Sequence, residues 1–197
     1  ISMALEDRMK LLFRFSGIHP TLPLAEVEAL AGIYGSYKLI ELAGRNAIIE
    51  FEGDVLCFKK RLAMAHAVYE YIGKCKRHML KEFLKGVDIR VKMPYRVRVH
   101  GYEKQEEVID IVVDEVESRY RNAYVSLESP KTSIELFFYN GEFYLCKLLY
   151  PVSKDFMKHA PKNRPFVRPI SMDPRIARAM VNLARIRNGM LLDPFCG

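Results

Sequence analysis

The sequence predicts an α+β protein: a β-α-β-β-α-β unit of ferredoxin-like type, a second small α/β unit, then an extended connection into one more helix and strand. Three observations carry that expectation. Short apolar runs with period-two alternation are bounded by turn residues, which marks strands. Between them stand stretches with apolar residues three and four apart, which marks amphipathic helices. Later, Pro151, Pro161, Pro165 and Pro169 crowd one basic stretch, which resists helix formation.

The elements follow in order. Ile1-Ser2 ahead of Met3 is set aside from fold reasoning. Met9 to Phe15 reads as a strand. His19-Pro20-Thr21-Leu22-Pro23 is a turn, and Pro23 suits the first turn of a helix carrying Leu24, Val27, Leu30 and Ala31 on one face. Gly35 closes that helix. Tyr37 to Leu42 and Ala47 to Phe51 form a hairpin across Gly44-Arg45-Asn46. Lys59 to Ile72 is expected to be helical, with Leu62, Ala65, His66 and Tyr69 sharing a face. Cys75 to Leu80 is expected as the closing strand.

In the second unit, Tyr95 to His100 alternates strictly, with Val97 and Val99 on one face and Arg96, Arg98 and His100 on the other. Gln105 to Tyr120 is a long amphipathic helix with Val108, Val112 and Val116 turned to a core. Ala123 to Leu127 reads as a strand and Ser129-Pro130-Lys131 as a turn. Ser133 to Tyr139 and Glu142 to Leu149 pair across Asn140-Gly141, the strongest hairpin signal in the chain. After the proline-rich stretch, Asp173 caps a helix with Pro174 at its first position, and a strand, Met190 to Asp193, follows Asn188-Gly189. The resulting organisation is 1–83, 84–150, a linker at 151–170, and 171–197.

Charge narrows the partner. The net charge is +7, which favours an anionic ligand. Residues 59–98 hold twelve Lys/Arg against three acids, and residues 147–187 hold ten against two. Between them, residues 103–128 hold eight acids against three Lys/Arg. The four cysteines are scattered and form no CxxC pair, which suits reduced thiols in a cytoplasmic protein. Cys75 and His78 alone cannot hold zinc, so no metal is expected. No apolar run reaches the length of a membrane span, and no GxSxG, HExxH or phosphate-binding loop is present. A monomer is expected.

The most specific stretch is Arg164 to Gly197, RPFVRPISMDPRIARAMVNLARIRNGMLLDPFCG. It resembles the junction into the methyltransferase domain of the archaeal tRNA (guanine-N2) methyltransferases that modify the guanine at position 10. Its Asp-Pro-Phe-Cys-Gly ending resembles their first S-adenosylmethionine motif. An apolar strand followed by an acid and a glycine turn is how nucleotide-type ligands are met at the carboxyl end of a parallel strand. Residues 85–150 resemble the THUMP domain, an RNA-binding module of RNA-modifying enzymes, and the unit before it resembles its usual companion. The resemblance implies S-adenosylmethionine as cofactor of the intact enzyme, held in part by Asp193, Phe195 and Gly197, and tRNA as partner.

The family's catalytic Asp/Asn-Pro-Pro-Tyr element has no counterpart in these residues. The resemblance therefore assigns no catalytic residue here and implies that the chain alone lacks activity and binds no cofactor. What it implies for these residues is placement of tRNA through phosphate and shape contacts. The candidate contacts are Lys59, Lys60, Arg61, Lys76, Arg77, Arg96, Arg98, Lys131, Arg164 and Arg168. Three other readings stand beside it. One is a free-standing THUMP adaptor serving a separate enzyme. Another is a THUMP protein of tRNA thiolation, against which the lack of a pyrophosphate loop speaks. The third is a basic α/β domain with no RNA role.

Overall fold

The structure, a computed structural model, describes residues 8–160, 163 and 172–192. Seven strands and five helices alternate along it: β1 (Met9–Phe15), α1 (Leu22–Tyr34), β2 (Gly35–Ala43), β3 (Asn46–Gly53), α2 (Leu56–Arg61), β4 (Ala65–Lys76), α3 (Leu80–Gly86), β5 (Tyr95–His100), α4 (Gln105–Arg119), β6 (Thr132–Tyr139), β7 (Glu142–Pro151) and α5 (Pro174–Leu183). The protein is a mixed α/β chain, as its sequence predicts. It divides into two compact units. One gathers residues 13–68 with the described residues before 10 and from 150 onward. The other gathers 10–12 and 69–149.

In the first unit the strands neighbour one another in the order β2-β3-β1-β4. With the element order β-α-β-β-α-β, this is the ferredoxin-like arrangement. His19 starts α1 by accepting the backbone N–H groups of Thr21 and Leu22 on its Nδ1, each at 3.2 Å. Val27, Leu30 and Ala31 of that helix are buried. Gly44 turns the β2–β3 hairpin at φ +61°, a conformation that favours glycine. Phe13, Phe51 and Phe58 meet edge to face, with centroids 4.9 and 5.1 Å apart. Such pairs contribute about 1 kcal/mol each beyond their buried area.

Two expectations fail in this region, each for its own physical reason. The helix expected over Lys59 to Ile72 ends at Arg61, and β4 runs from Ala65 to Lys76. Leu62 is already extended, with ψ 142°. The next two N–H groups, those of Ala63 and Met64, go to the buried carboxylate of Glu26 at 3.0 and 2.9 Å. A continuing helix would need those donors for its own carbonyls. Past that point alternation governs: His66, Glu70, Lys74 and Lys76 share one parity, Ala65, Ala67, Tyr69, Tyr71 and Cys75 the other. The strand expected over Cys75 to Leu80 is likewise replaced. A short 3₁₀ turn, Arg77–Met79, leads into α3, because Leu80 and Leu84, one helical turn apart, bury themselves in the core.

The second unit has the order β4-β7-β6-β5. β5 and β6 run parallel, β6 and β7 antiparallel. Asn140 and Gly141 both take positive φ, 48° and 81°, as the tight hairpin turn requires. Val108, Val112 and Val116 of α4 pack on Tyr95, Val97, Val99, Ile134, Leu136, Phe143 and Leu145. Each such buried side chain contributes about 1.5–3 kcal/mol. The strand expected over Ala123 to Leu127 does not form. A single bridge joins Val125 to Tyr95, and Tyr124, Val125 and Leu127 stay exposed, so the run has no face to bury.

Asp173 caps α5 as expected, accepting the N–H of Arg175 at 2.8 Å, with Pro174 in its first turn. The proline-rich stretch is not wholly extended, since Asp155–His159 makes a 3₁₀ turn. Met190 to Leu192 form no strand and are exposed. A strand needs a partner to satisfy its backbone, and none of the described residues supplies one. Asp193 lies outside the described residues.

Candidate nucleic-acid interface

The predicted contacts fall into separate groups. In the second unit, pairing places Arg96 opposite Ser133, Arg98 opposite Glu135 and His100 opposite Phe137. Arg98 is exposed, while its neighbours Val97 and Val99 are buried. The strand thus carries a cationic outer row, as its alternation predicts. Lys131 is exposed at the entrance to β6. Its N–H is held by the carbonyl of Pro94 at 2.7 Å, next to the start of β5. Lys131, Arg96 and Arg98 therefore follow one another along a single sheet edge.

That edge is electrostatically tuned from below. Arg96 Nε donates to Ser133 Oγ at 2.8 Å, and Ser133 Oγ donates to Glu135 Oε1 at 3.1 Å. Glu135 Oε2 meets His100 Nε2 at 2.9 Å. Glu135 is 3% exposed. Burial works to raise its pKa, yet the hydrogen bond and charge of His100, with bonds from Ser133 and Tyr69, hold it below the ordinary carboxylate value. His100 in turn stacks on Phe137, with centroids 4.8 Å apart.

Lys76 and Arg77 lie elsewhere in this unit. Both are exposed at the end of β4. The N–H of Arg77 is pinned to the carbonyl of Gly141 at 3.2 Å, and its guanidinium sits 5.2 Å from the Tyr102 ring. An open cleft of about 470 Å³ adjoins them, bordered by Arg77, His78, Lys81, Tyr102, Ile111 and Phe143 among others. Tyr102 comes just after β5 and Lys131 sits beside its start. A strand of that length spans about 20 Å, so the two cationic groups flank opposite ends of β5. The cleft combines an aromatic wall with a rim carrying Arg77 and Lys81 as well as Glu107, which can seat a base and its phosphate on the cationic part. His78 and Lys81 were not singled out by sequence, because their cleft depends on α3, which replaces the expected strand.

Lys59, Lys60 and Arg61 belong to the first unit and end α2 rather than begin a helix. Lys59 and Lys60 are exposed; Lys59 Nζ is 5.9 Å from the Tyr150 ring. The donors of Arg61 are turned inward, to Asn182 Oδ1 at 3.1 Å, Tyr34 Oη at 3.2 Å and the carbonyl of Ile186 at 2.8 Å. Asn182 Nδ2 donates to Glu26 Oε1 at 2.7 Å and to the carbonyl of Arg61 at 2.9 Å. Arg178 Nε donates to that same carbonyl, also at 2.9 Å. Glu26, fully buried, thereby ties α1, the α2–β4 connection and α5 together. Burial pushes its carboxyl above the ordinary value despite the hydrogen bonds of Met64, Asn182 and Ala63 and the charge of Arg178. Arg164 and Arg168, like Asp193, Phe195 and Gly197, lie outside the described residues.

The sequence and the fold match known proteins in a consistent way. The chain is similar to tRNA methyltransferases over nearly all of its length. Residues 161–197 match the family described as UPF0020: RMKL-like, methyltransferase domain. A tRNA (guanine(10)-N2)-dimethyltransferase of Methanothermobacter thermautotrophicus is 31% identical over 96% of the chain. Proteins of the same name from Methanocaldococcus jannaschii and Pyrococcus abyssi are 28% and 30% identical, each over 92% of it. The chain spans 59%, 60% and 55% of these three relatives. Among solved structures, TrmN from Thermus thermophilus superposes with a TM-score of 0.61 at 19% identity, over 89% of this chain and 54% of that one. A predicted N6-adenine-specific DNA methylase from Listeria monocytogenes gives 0.56 at 16%, over 89% and 48%. These likenesses support the fold.

Proposed function

We propose that the chain is the tRNA-holding part of an S-adenosylmethionine-dependent tRNA (guanine(10)-N2)-methyltransferase, with residues 84–150 acting as its THUMP domain. The observation that carries this reading is the similarity to the three dimethyltransferases along at least 92% of the chain. The cationic edge of β5 and the Arg77–Tyr102 cleft supply the chemistry that RNA backbone and bases need. Lys131, Arg98 and Lys76 offer point contacts to phosphates. Tyr102 offers a ring face to a base, with Arg77 beside it.

In such an enzyme S-adenosylmethionine supplies the methyl group. Asp193, Phe195 and Gly197 are the residues assigned to hold it. The role of the described residues is to bind tRNA and fix its orientation, which sets the distance between a guanine and a reactive centre. Glu26 and Asn182 contribute by holding α5, the helix that leads into the Asp193–Gly197 segment, against α1. The 197 residues alone are assigned no methyl transfer.

The test is direct. The chain is incubated with tRNA at low salt and, separately, with tRNA and methyl-labelled S-adenosylmethionine. Binding of tRNA without transfer of label supports the reading. Absence of binding overturns it, and label transferred to guanine overturns the assignment of inactivity.

A further inference from the structure

Beyond the clusters named above, the first unit gathers three cationic residues and a histidine from four separate elements. Arg14 stands near the end of β1, Arg45 in the β2–β3 turn, His66 in β4 and Lys154 just past β7. Backbone hydrogen bonds bring these elements to one place. The carbonyl of Arg45 accepts the N–H of Phe15 at 2.8 Å, and the carbonyl of Met64 accepts that of Ser16 at 2.9 Å. The carbonyl of His66 accepts the N–H of Val152 at 3.0 Å, two residues before Lys154. The Arg45 side chain folds back over Gly17: a Cβ there would stand 2.9 Å from Nη1. Arg45, His66 and Lys154 are exposed.

We propose that this corner of the first unit is a second phosphate-binding surface, formed by Arg45, His66 and Lys154 with Arg14 behind them, and that it takes a phosphodiester of the RNA backbone. Like charges gathered on a fold, as Arg45 and Lys154 are here, cost free energy unless an anion offsets them. The neighbouring acid Asp155 does not serve, because it is engaged by Lys158 at 3.0 Å and Ser153 at 2.7 Å. The Ser16 hydroxyl, buried beneath the corner, finds no hydrogen-bond partner among the described residues. The crowding is felt at His66. Partial burial, then the positive charges of Lys154, Arg14 and Arg45, hold its imidazole below the ordinary value. A bound phosphate would reverse that pressure and favour the imidazolium. The choice of RNA over free phosphate rests on the proposed tRNA reading.

The test uses the whole chain and two readouts. His66, assigned with H66Q, is titrated by proton NMR alone, with inorganic phosphate and with a tRNA transcript. In parallel, tRNA affinity of wild type, R45Q/K154Q and the charge-keeping R45K/K154R is measured against salt, with thermal melting as the folding control. The surface is supported if tRNA raises the His66 midpoint, and if R45Q/K154Q loses about tenfold in affinity and about 1–2 in log–log salt slope while R45K/K154R retains both. If wild type binds tRNA but His66 does not respond and R45Q/K154Q is unaltered, this surface is overturned and the tRNA reading stands. If wild type binds no tRNA yet phosphate raises the His66 midpoint, the corner is an anion site and its assignment to RNA is overturned.

Discussion

Among the described residues each unit buries one glutamate, and the two are handled in opposite ways. Glu26 in the first unit accepts from neutral groups, the N–H groups of Ala63 and Met64 and the amide of Asn182, and burial wins: its pKa is raised. Glu135 in the second unit is nearly as buried but faces His100, and its pKa is lowered. At Glu26 the neutral donors and the Arg178 charge together do not offset burial, whereas at Glu135 the direct hydrogen bond and charge of His100, with bonds from Ser133 and Tyr69, do. The difference follows the two roles. Glu26 ties three segments into a scaffold, and Glu135 lies beneath a strand edge whose outer row is cationic.

Removing these carboxylates breaks the comparison most severely. E26A leaves two backbone N–H groups and the Asn182 amide without their acceptor, each costing about 1–3 kcal/mol. A loss of about 4 kcal/mol in urea unfolding is expected, with loss of amide protection in α5. E26Q keeps one acceptor oxygen and should lose about half as much. E135A strands His100 and Ser133 nearer the surface and should cost about 2 kcal/mol. If E135A proves costlier than E26A, the assignment of scaffold and edge is reversed.

The pH dependence sharpens the same contrast by sign. A raised carboxyl gives Glu26 a contribution fully present below the ordinary value of 4.5 and lost as pH rises through its folded value. A lowered one gives Glu135 a contribution present above 4.5 and lost as pH falls through its folded value. Urea midpoints between about pH 3 and 7 for wild type, E26Q and E135Q separate them. The penalty of E26Q should shrink as pH rises, and that of E135Q should shrink as pH falls. Parallel profiles would remove the distinction.

The smallest expected effects are on RNA. R98Q and K131Q each remove one phosphate contact and should lower the log–log salt slope of tRNA binding by about 1, with unfolding midpoints unchanged. K59Q in the first unit should do the same. An R61Q variant should instead lower stability, because the guanidinium of Arg61 is committed to Asn182, Tyr34 and Ile186.

Much of this was legible in the sequence where local chemistry decides. Alternation gave β5 its cationic face, Asn140-Gly141 the β6–β7 turn, and Asp173-Pro174 the start of α5. Long-range contacts were not legible. The end of α2 is set by a carboxylate 37 residues earlier in the chain, and no local pattern carries that. The helical spacing of Leu62, Ala65 and Tyr69 coexists with an alternation that becomes decisive only once Glu26 takes the Ala63 and Met64 donors. The corner of Arg14, Arg45, His66 and Lys154 was hidden likewise. Its members are distant in sequence, and strand pairing alone brings them together.

The central claim is that these residues hold tRNA by its backbone. Binding of a tRNA transcript to the 197-residue chain, followed from low to moderate salt, tests it most directly. The account predicts saturable binding whose log–log slope is about −3 or steeper, the release expected when several phosphates are contacted at once. A flat slope, or no binding even at the lowest salt, would contradict it.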